Sequence, residues 1–425
     1  MTKRNISITI PHLTRVEGHG NISIRVENGQ LIEASWEVIE TPRFFEVMLK
    51  GMSADQVPFL TSRICGICSI SHSLASIRAL ERAMEITPPP IAISTRLLAM
   101  HGETLQSHAL HLFFLYAPDF AGTDSILPLF ETHPDLAVAG LKLKELGNTI
   151  SRITTGRCTH PVSLVPGGIN KAPDRSALAT LLEELQQAKA ALELATSYFE
   201  SLTIPDFVRE TEFISLCNGR EYPSIGGDLL SSDGVRHEEN DYLLMTNEYC
   251  REGSTSKFTR LSREASAAGA LARLNNNYSF LSQNAKKTAA RFALEPVCHN
   301  PFMNTIAQLV ECVHIVDAAE QLATTLHDEP SGPLKTRFQP KAGTATGAVE
   351  APRGILYHHF ELDDRGHVVK ADCIIPTTQN NANIHLDLHA LAEKALKEGK
   401  DDRSIEKLCT MLVRSYDPCI SCSVH

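Results

Sequence analysis

Apolar and polar residues alternate at the start of this chain, and the pattern then changes to a helical period. Ile6, Ile8 and Ile10 take every second position, which predicts a strand with one buried face. Positions 21–27 and 31–40 flank Asn28-Gly29, a dipeptide suited to a tight hairpin turn. Over 71–86, Leu74, Ile77, Leu80 and Met84 fall near helical spacing, and Pro88-Pro89-Pro90 stops the run. Longer helices are predicted over 91–116, 174–202 and 301–326. Positions 203–260 carry Pro, Gly and Asp clusters and predict irregular structure with short elements. A second β unit is expected at 354–362 and 367–375, around the turn Asp363-Asp364-Arg365-Gly366. Helices near 384–398 and 402–415 follow it.

No repeat, low-complexity run or long linker interrupts the pattern. Residues 1–425 read as one interwoven domain, mainly α with small β units (α+β). A long-helix bundle forms the expected core, with N-terminal and C-terminal β hairpins at its edge.

Composition narrows the function classes. Hydrophobic residues make up 43% of the chain, enough for a sizeable core. Forty basic and fifty acidic residues give a net charge of −10, and no long Lys/Arg run occurs. That argues against a nucleic-acid partner. No apolar stretch reaches the roughly 20 residues that span a bilayer. The start, Met1 to Asn5, is polar and predicts no export signal of the chain's own.

Eleven cysteines are present. Seven of them (Cys158, Cys217, Cys250, Cys298, Cys312, Cys373, Cys409) show no disulfide framework. They are expected to be small apolar core residues in a reducing compartment. The other four form two Cys-x-x-Cys pairs near opposite ends, each followed by a histidine. One is Arg63-Ile64-Cys65-Gly66-Ile67-Cys68-Ser69-Ile70-Ser71-His72. The other is Asp417-Pro418-Cys419-Ile420-Ser421-Cys422-Ser423-Val424-His425. A structural zinc site usually keeps its pairs roughly 15–20 residues apart, and a redox dithiol needs only one pair. Four thiolates drawn from distant segments make a soft site for zinc, iron–sulfur units, copper(I) or nickel, not for magnesium or calcium.

These two motifs resemble the pair that defines the large, catalytic subunit of nickel–iron hydrogenases. Three further segments resemble family motifs in the same order: Arg15-Val16-Glu17-Gly18-His19, Glu350-Ala351-Pro352-Arg353-Gly354 and Ile375-Pro376-Thr377-Thr378. The resemblance spans nearly the whole chain, with the middle third weakly diagnostic. It implies a NiFe centre in which Cys65 and Cys419 bind nickel alone. Cys68 and Cys422 would bridge nickel to an iron carrying CO and two cyanide ligands. Glu17 matches the family's proton-transfer glutamate, a role a carboxylate takes beside a thiolate when burial raises its pKa. The alternative is a structural carboxylate paired with Arg15 or another base.

Arg353 would hold its fixed guanidinium fork near the cyanides, with Pro352 before it and Asp417 beside it. Thr377 would donate to the other cyanide. His72 is expected to hydrogen-bond a cysteine sulfur. A second metal, magnesium or iron, is implied at Glu46, the carbonyl of Cys373 and His425. Family precursors carry an extension past this histidine that a protease removes, so a chain ending at His425 is expected to be either the processed form or one encoded without an extension.

One departure is visible. Respiratory members carry an aspartate where this chain has Ser107, in Gln106-Ser107-His108. With Pro42-Arg43-Phe44-Phe45-Glu46, this leans toward the cytoplasmic, bidirectional branch. His101, His108 and His111 fall roughly on one helical face, as core or proton-path histidines or, less simply, a metal site. The resemblance implies oxidation of H2 to protons and electrons in the cytoplasm. An iron–sulfur small subunit would take the electrons, often with further flavin or iron–sulfur subunits. Two other readings differ in metal content: an electron-transfer or quinone-site subunit without the cysteines, and a zinc-clamped structural protein.

Overall fold

A computed structural model describes residues 5–328 and 332–425, and it is a mixed α+β fold. The polar first four residues lie outside the described part. The N-terminal unit is a three-stranded antiparallel sheet rather than a hairpin: Ile6–Ile10, Gly20–Glu27 and Gln30–Val38. Asn28 and Gly29 both take positive φ (54° and 82°), as the tight turn between the last two strands requires. The sheet's inner face carries Ile22, Ile24 and Trp36, all buried. Trp36 is anchored by its Nε1–H, which donates to Asn381 Oδ1 at 3.0 Å.

The predicted helices are present: Ser69–Met84, Pro90–Ala109, Arg175–Glu200, Met303–Asp328, Pro376–Lys397 and Asp402–Ser415. Pro90–Ala109 packs on Met303–Asp328 and on Pro134–Thr155, a helix the sequence reading passed over. Arg175–Glu200 packs on the latter two. The helix expected over 91–116 changes character at Leu110, where Leu110–Tyr116 is wound as a π-helix. Pro118 follows in Ala117–Ala121 and has no N–H to offer the preceding turn.

The C-terminal β unit also has one strand more than expected. Gly343–Ala351, Gly354–Leu362 and Val368–Ile374 form an antiparallel sheet in that order. Ala351 pairs with Gly354, so Pro352 and Arg353 are the two residues of a tight hairpin tip. The middle segment is more regular than predicted. Glu212–Cys217 and Asp228–Ser231 join two short strands in a four-stranded sheet. Among the described residues no helix is long and apolar enough to cross a membrane.

The free cysteines divide. Cys312, Cys373 and Cys409 are buried as expected, but Cys158 and Cys250 are exposed and Cys217 and Cys298 are half-buried. The last four lie on loops and a strand end, where no helical or strand face turns them inward.

Candidate metal centre

The two Cys-x-x-Cys pairs meet. Cys65 Sγ lies 3.5 Å from Cys419 Sγ, and Cys68 Sγ lies 3.7 Å from Cys422 Sγ. Within the second pair the sulfurs are 2.7 Å apart. All four ligand atoms fall within 4.8 Å of one another, and all four residues are buried. Cys65 and Cys68 stand on the loop that enters helix Ser69–Met84, with Cys68 at its N-cap. Cys419 and Cys422 stand on the segment that leaves helix Asp402–Ser415. Asp417 turns that segment inward in a left-handed conformation (φ 50°), which aspartate tolerates better than most residues.

The charge balance inside the cluster is uneven. Hydrogen bonds from Cys419, Cys422 and Cys68 hold the Cys65 thiol well below its usual value, with help from the Arg353 charge. Burial, with the neighbouring sulfurs, pushes Cys422 well above it. One buried thiolate thus disfavours its neighbours, and a soft cation is what would let all four be thiolates together.

Other segments tie the two loops together. Arg43 donates from Nη2 to Ile64 O at 2.7 Å and to Ser421 O, and its N–H donates to Val424 O at 2.9 Å. Glu17 stands beside the second loop. Ile420 N donates to Glu17 O at 2.9 Å, and Ser421 N donates to Glu17 Oε2 at 3.0 Å. The Ser421 hydroxyl donates to Glu17 Oε1. This approach requires Gly18 (φ 84°), where a Cβ would stand 2.7 Å from Ile420 Cβ and 2.9 Å from Ser421 N. Arg15, offered by the bland reading as the partner of Glu17, instead donates to Leu115 O at 2.7 Å and pairs with Asp119.

Arg353 reaches the cluster from the hairpin tip. Its Nε donates to Asp417 O at 2.8 Å and its Nη2 to Asp417 Oδ1 at 3.0 Å. The third guanidinium nitrogen, Nη1, is buried with no partner. Thr377 Oγ accepts from Cys419 N at 2.9 Å, which leaves its own proton free to donate. Arg353, Thr377 and His72 line a small enclosed cavity with Cys68, Cys419 and Cys422. Soft thiolates on one side and an unspent buried guanidinium donor on the other fit a centre whose outer ligands accept hydrogen bonds.

His72 differs from expectation. Its Nδ1 lies 3.1 Å from His358 Nε2, and His358 Nδ1 lies 2.8 Å from Ser76 Oγ. A histidine partner was available because strand Gly354–Leu362 packs on the helix that carries His72. Burial depresses His72 to about 3, so the ring is neutral.

The Glu46 carboxylate, the Cys373 thiol and a His425 ring nitrogen also lie within 4.8 Å of one another. Glu46 Oε1 accepts from Cys373 N at 2.8 Å and lies 3.4 Å from His425 Nε2. Burial would raise the Glu46 carboxyl, but His425 and the Cys373 N–H outweigh it and bring it down to about 2.

The three helix histidines do share one face, against Met303–Asp328. His108 Nε2 lies 2.7 Å from Glu311 Oε2, and His111 Nδ1 pairs with Gln308 Oε1. Burial, with His314 nearby, lowers the His101 ring to about 3. None joins a group of metal ligands among the described residues. Ser107, in the place of the expected acid, is fully buried and its hydroxyl has no partner.

Two carboxylates escaped the sequence reading. Glu103 is buried and accepts from Ile70 N at 2.6 Å, from Ser71 N at 2.9 Å and from the Ser71 hydroxyl. It caps the helix that starts at the cysteine loop. Glu311 lies at the centre of a buried polar cluster. A lone acid on an apolar helix carries no sequence mark of either role.

A family profile described as "Nickel-dependent hydrogenase" matches residues 43–133 and 236–425, and one described as "HoxL-like" matches 7–41. The alpha subunit of sulfhydrogenase 2 from Pyrococcus furiosus is 32% identical, over 98% of each chain. The beta subunit of the NAD-reducing hydrogenase HoxS from Cupriavidus necator is 28% identical, over 98% of this chain and 94% of its own. The solved NAD+-reducing nickel–iron hydrogenase in its H2-reduced state superposes with a TM-score of 0.90 at 30% identity, covering 99% of both chains. Nickel–iron–selenium hydrogenase structures share the fold at 22% identity, for example with a TM-score of 0.80.

Proposed function

This chain belongs to the nickel-dependent hydrogenase family, and on that footing we propose which of its residues hold the metals and move the proton. It is a hydrogenase catalytic subunit, an oxidoreductase that reversibly oxidises H2 and passes the electrons to partner subunits. The observation that carries the assignment of residues is the convergence of four buried sulfurs from both ends of the chain.

Cys65 and Cys419 would hold nickel, and Cys68 and Cys422 would be shared between nickel and an iron that carries CO and two cyanides. Bound there, the NiFe centre supplies the heterolytic cleavage of dihydrogen. Glu17 takes the proton. Its carboxylate is held ready by Ser421, two residues from Cys419, so it needs no search for a productive rotamer. Arg353 offers its unpartnered Nη1 to one outer ligand and Thr377 its hydroxyl to another. Pro352 fixes the hairpin tip, and Asp417 fixes the guanidinium plane. His72, neutral and tied to His358, closes the cavity wall.

Glu46, the Cys373 carbonyl and His425 would hold a magnesium or iron ion. The bundle of long helices is the core of one interwoven domain over 1–425, with the small sheets bringing Glu17 and Arg353 to its edge. The partner is an iron–sulfur small subunit with further flavin or iron–sulfur subunits, in the cytoplasm. That reading draws on the NAD-reducing relatives and on the Ser107 departure.

The test is metal analysis with infrared spectroscopy of the purified complex. About one nickel and at least one iron per chain, with CO and cyanide bands, is the expected result. Full zinc occupancy with hydrogen activity retained and no nickel would overturn it.

A further inference from the structure

Arg273 sits in the short helix Ala270–Asn277 and is only 3% exposed. Every nitrogen of its guanidinium is engaged. Nε donates to Glu311 Oε1 at 2.6 Å and Nη2 to Glu311 Oε2 at 2.7 Å. Nη1 donates to Glu350 Oε2 at 3.1 Å. The remaining bonds go to backbone: Nη1 to Ala351 O at 2.9 Å and Nη2 to Pro352 O at 3.0 Å. Those carbonyls belong to the two residues that precede Arg353 in the hairpin.

The backbone is pressed together at the same place. Gly354 (φ 133°) has no room for a side chain. A Cβ there would stand 2.6 Å from Ala268 Cβ and 2.9 Å from Gly269 N, at the start of the Arg273 helix. The long helix Met303–Asp328 holds both sides of the hairpin tip. Glu311 anchors Arg273, and one turn earlier Gln308 Nε2 donates to Asp417 Oδ2 at 3.1 Å. Asp417 in turn holds Arg353. A buried ion network is a poor stabiliser compared with apolar packing of the same volume, so its presence calls for a reason of geometry.

We propose that Arg273 is a positioning residue for Arg353: by clamping the carbonyls of Ala351 and Pro352, it sets where the free Nη1 of Arg353 stands at the thiolate site. This rests on the functional reading above. Lysine cannot replace it, because one ammonium cannot span two carboxylates and two carbonyls as a planar fork does.

The test uses the purified complex carrying Arg273→Lys, Arg353→Lys or both. Arg273→Lys should keep wild-type nickel and iron content, shift the infrared bands of the outer ligands, and leave KM for H2 unchanged. Its turnover should fall by about tenfold, within the range over which residues of one network couple. The double variant should be no slower than Arg353→Lys alone, since Arg273 acts through Arg353. Unshifted bands, or losses that multiply in the double variant, would overturn the proposal. Should Arg273→Lys not assemble, Glu311→Gln loosens the same clamp and is judged by the same two readings. The wild-type sample reports separately on the functional reading: nickel and hydrogen activity there, with Arg273 variants behaving independently of Arg353, sink only the positioning role.

Discussion

Sulfur at four positions and oxygen at one divide the chemistry between them. Replacing Cys65 or Cys419 with serine should abolish both nickel retention and H2-dependent dye reduction, because a hard hydroxyl is a poor substitute for a soft thiolate. Cys158 is exposed, and serine there should leave both unchanged. Cys312→Ser puts a hydroxyl into the core and should cost ~1–3 kcal/mol in a denaturant melt without loss of nickel. Glu17→Gln should assemble and keep its metals, while proton–deuterium exchange and H2 oxidation both collapse. The amide can accept from only one of the two Ser421 donors, so a stability loss of ~1 kcal/mol should accompany it. Exchange near the wild-type rate would move the relay elsewhere. The cysteine pairs were legible because metal chemistry demands a particular residue type at a particular spacing, whereas Glu17 was marked only by the likeness of its motif to the family's. Glu103 and Arg273 were not, because a single charged residue in a helix looks the same in sequence whether it faces water or a buried carbonyl.

Helix Ser69–Met84 delivers the first cysteine pair, and Glu103 on the neighbouring helix holds its first turn. Glu103→Ala should strand the N–H groups of Ile70 and Ser71 and cost ~1–3 kcal/mol, read by thermal or denaturant unfolding. Its pH dependence has a definite sign. Burial raises Glu103 from its ordinary 4.5 to about 8, against the hydrogen bonds from Ser71 and Ile70. The protonated form is therefore the one the fold favours. That contribution is complete below 4.5 and is lost as pH rises through about 8. Glu103→Gln cannot ionise, so its stability should be flatter than wild type across that window; an equal slope would remove the assignment. At this scale the long helices were legible from their apolar period, and the Asn28-Gly29 turn from its backbone demand. Pro134–Thr155 was passed over, although Leu136, Leu143, Leu146 and Ile150 mark its buried face. The π-helix at Leu110 was beyond reach, because one extra residue per turn leaves no mark in the apolar period of so short a run.

Across the whole molecule, the two ends of the chain share one small region. Glu17 and Cys419 form a parallel bridge, and Arg43 holds Ile64, Ser421 and Val424 at once. Deleting residues 419–425 should remove nickel binding. It should also raise hydrogen exchange in residues 13–20 and 39–46 while leaving the Met303–Asp328 helix protected. Unchanged exchange at the N-terminal segment would mean that Arg15 and Asp119 suffice to hold it. The bridge between Glu17 and Cys419 also imposes an order in time. Those residues are almost the length of the chain apart, so their contact closes one of the longest loops among the described residues, and such contacts come late. A ribosome would have made the helices, the hairpin that carries Arg353 and the first cysteine pair before the second pair emerged. Until then the first pair lacks its partner sulfurs, and the segment that carries Cys419 and Cys422 is the one that completes the cluster.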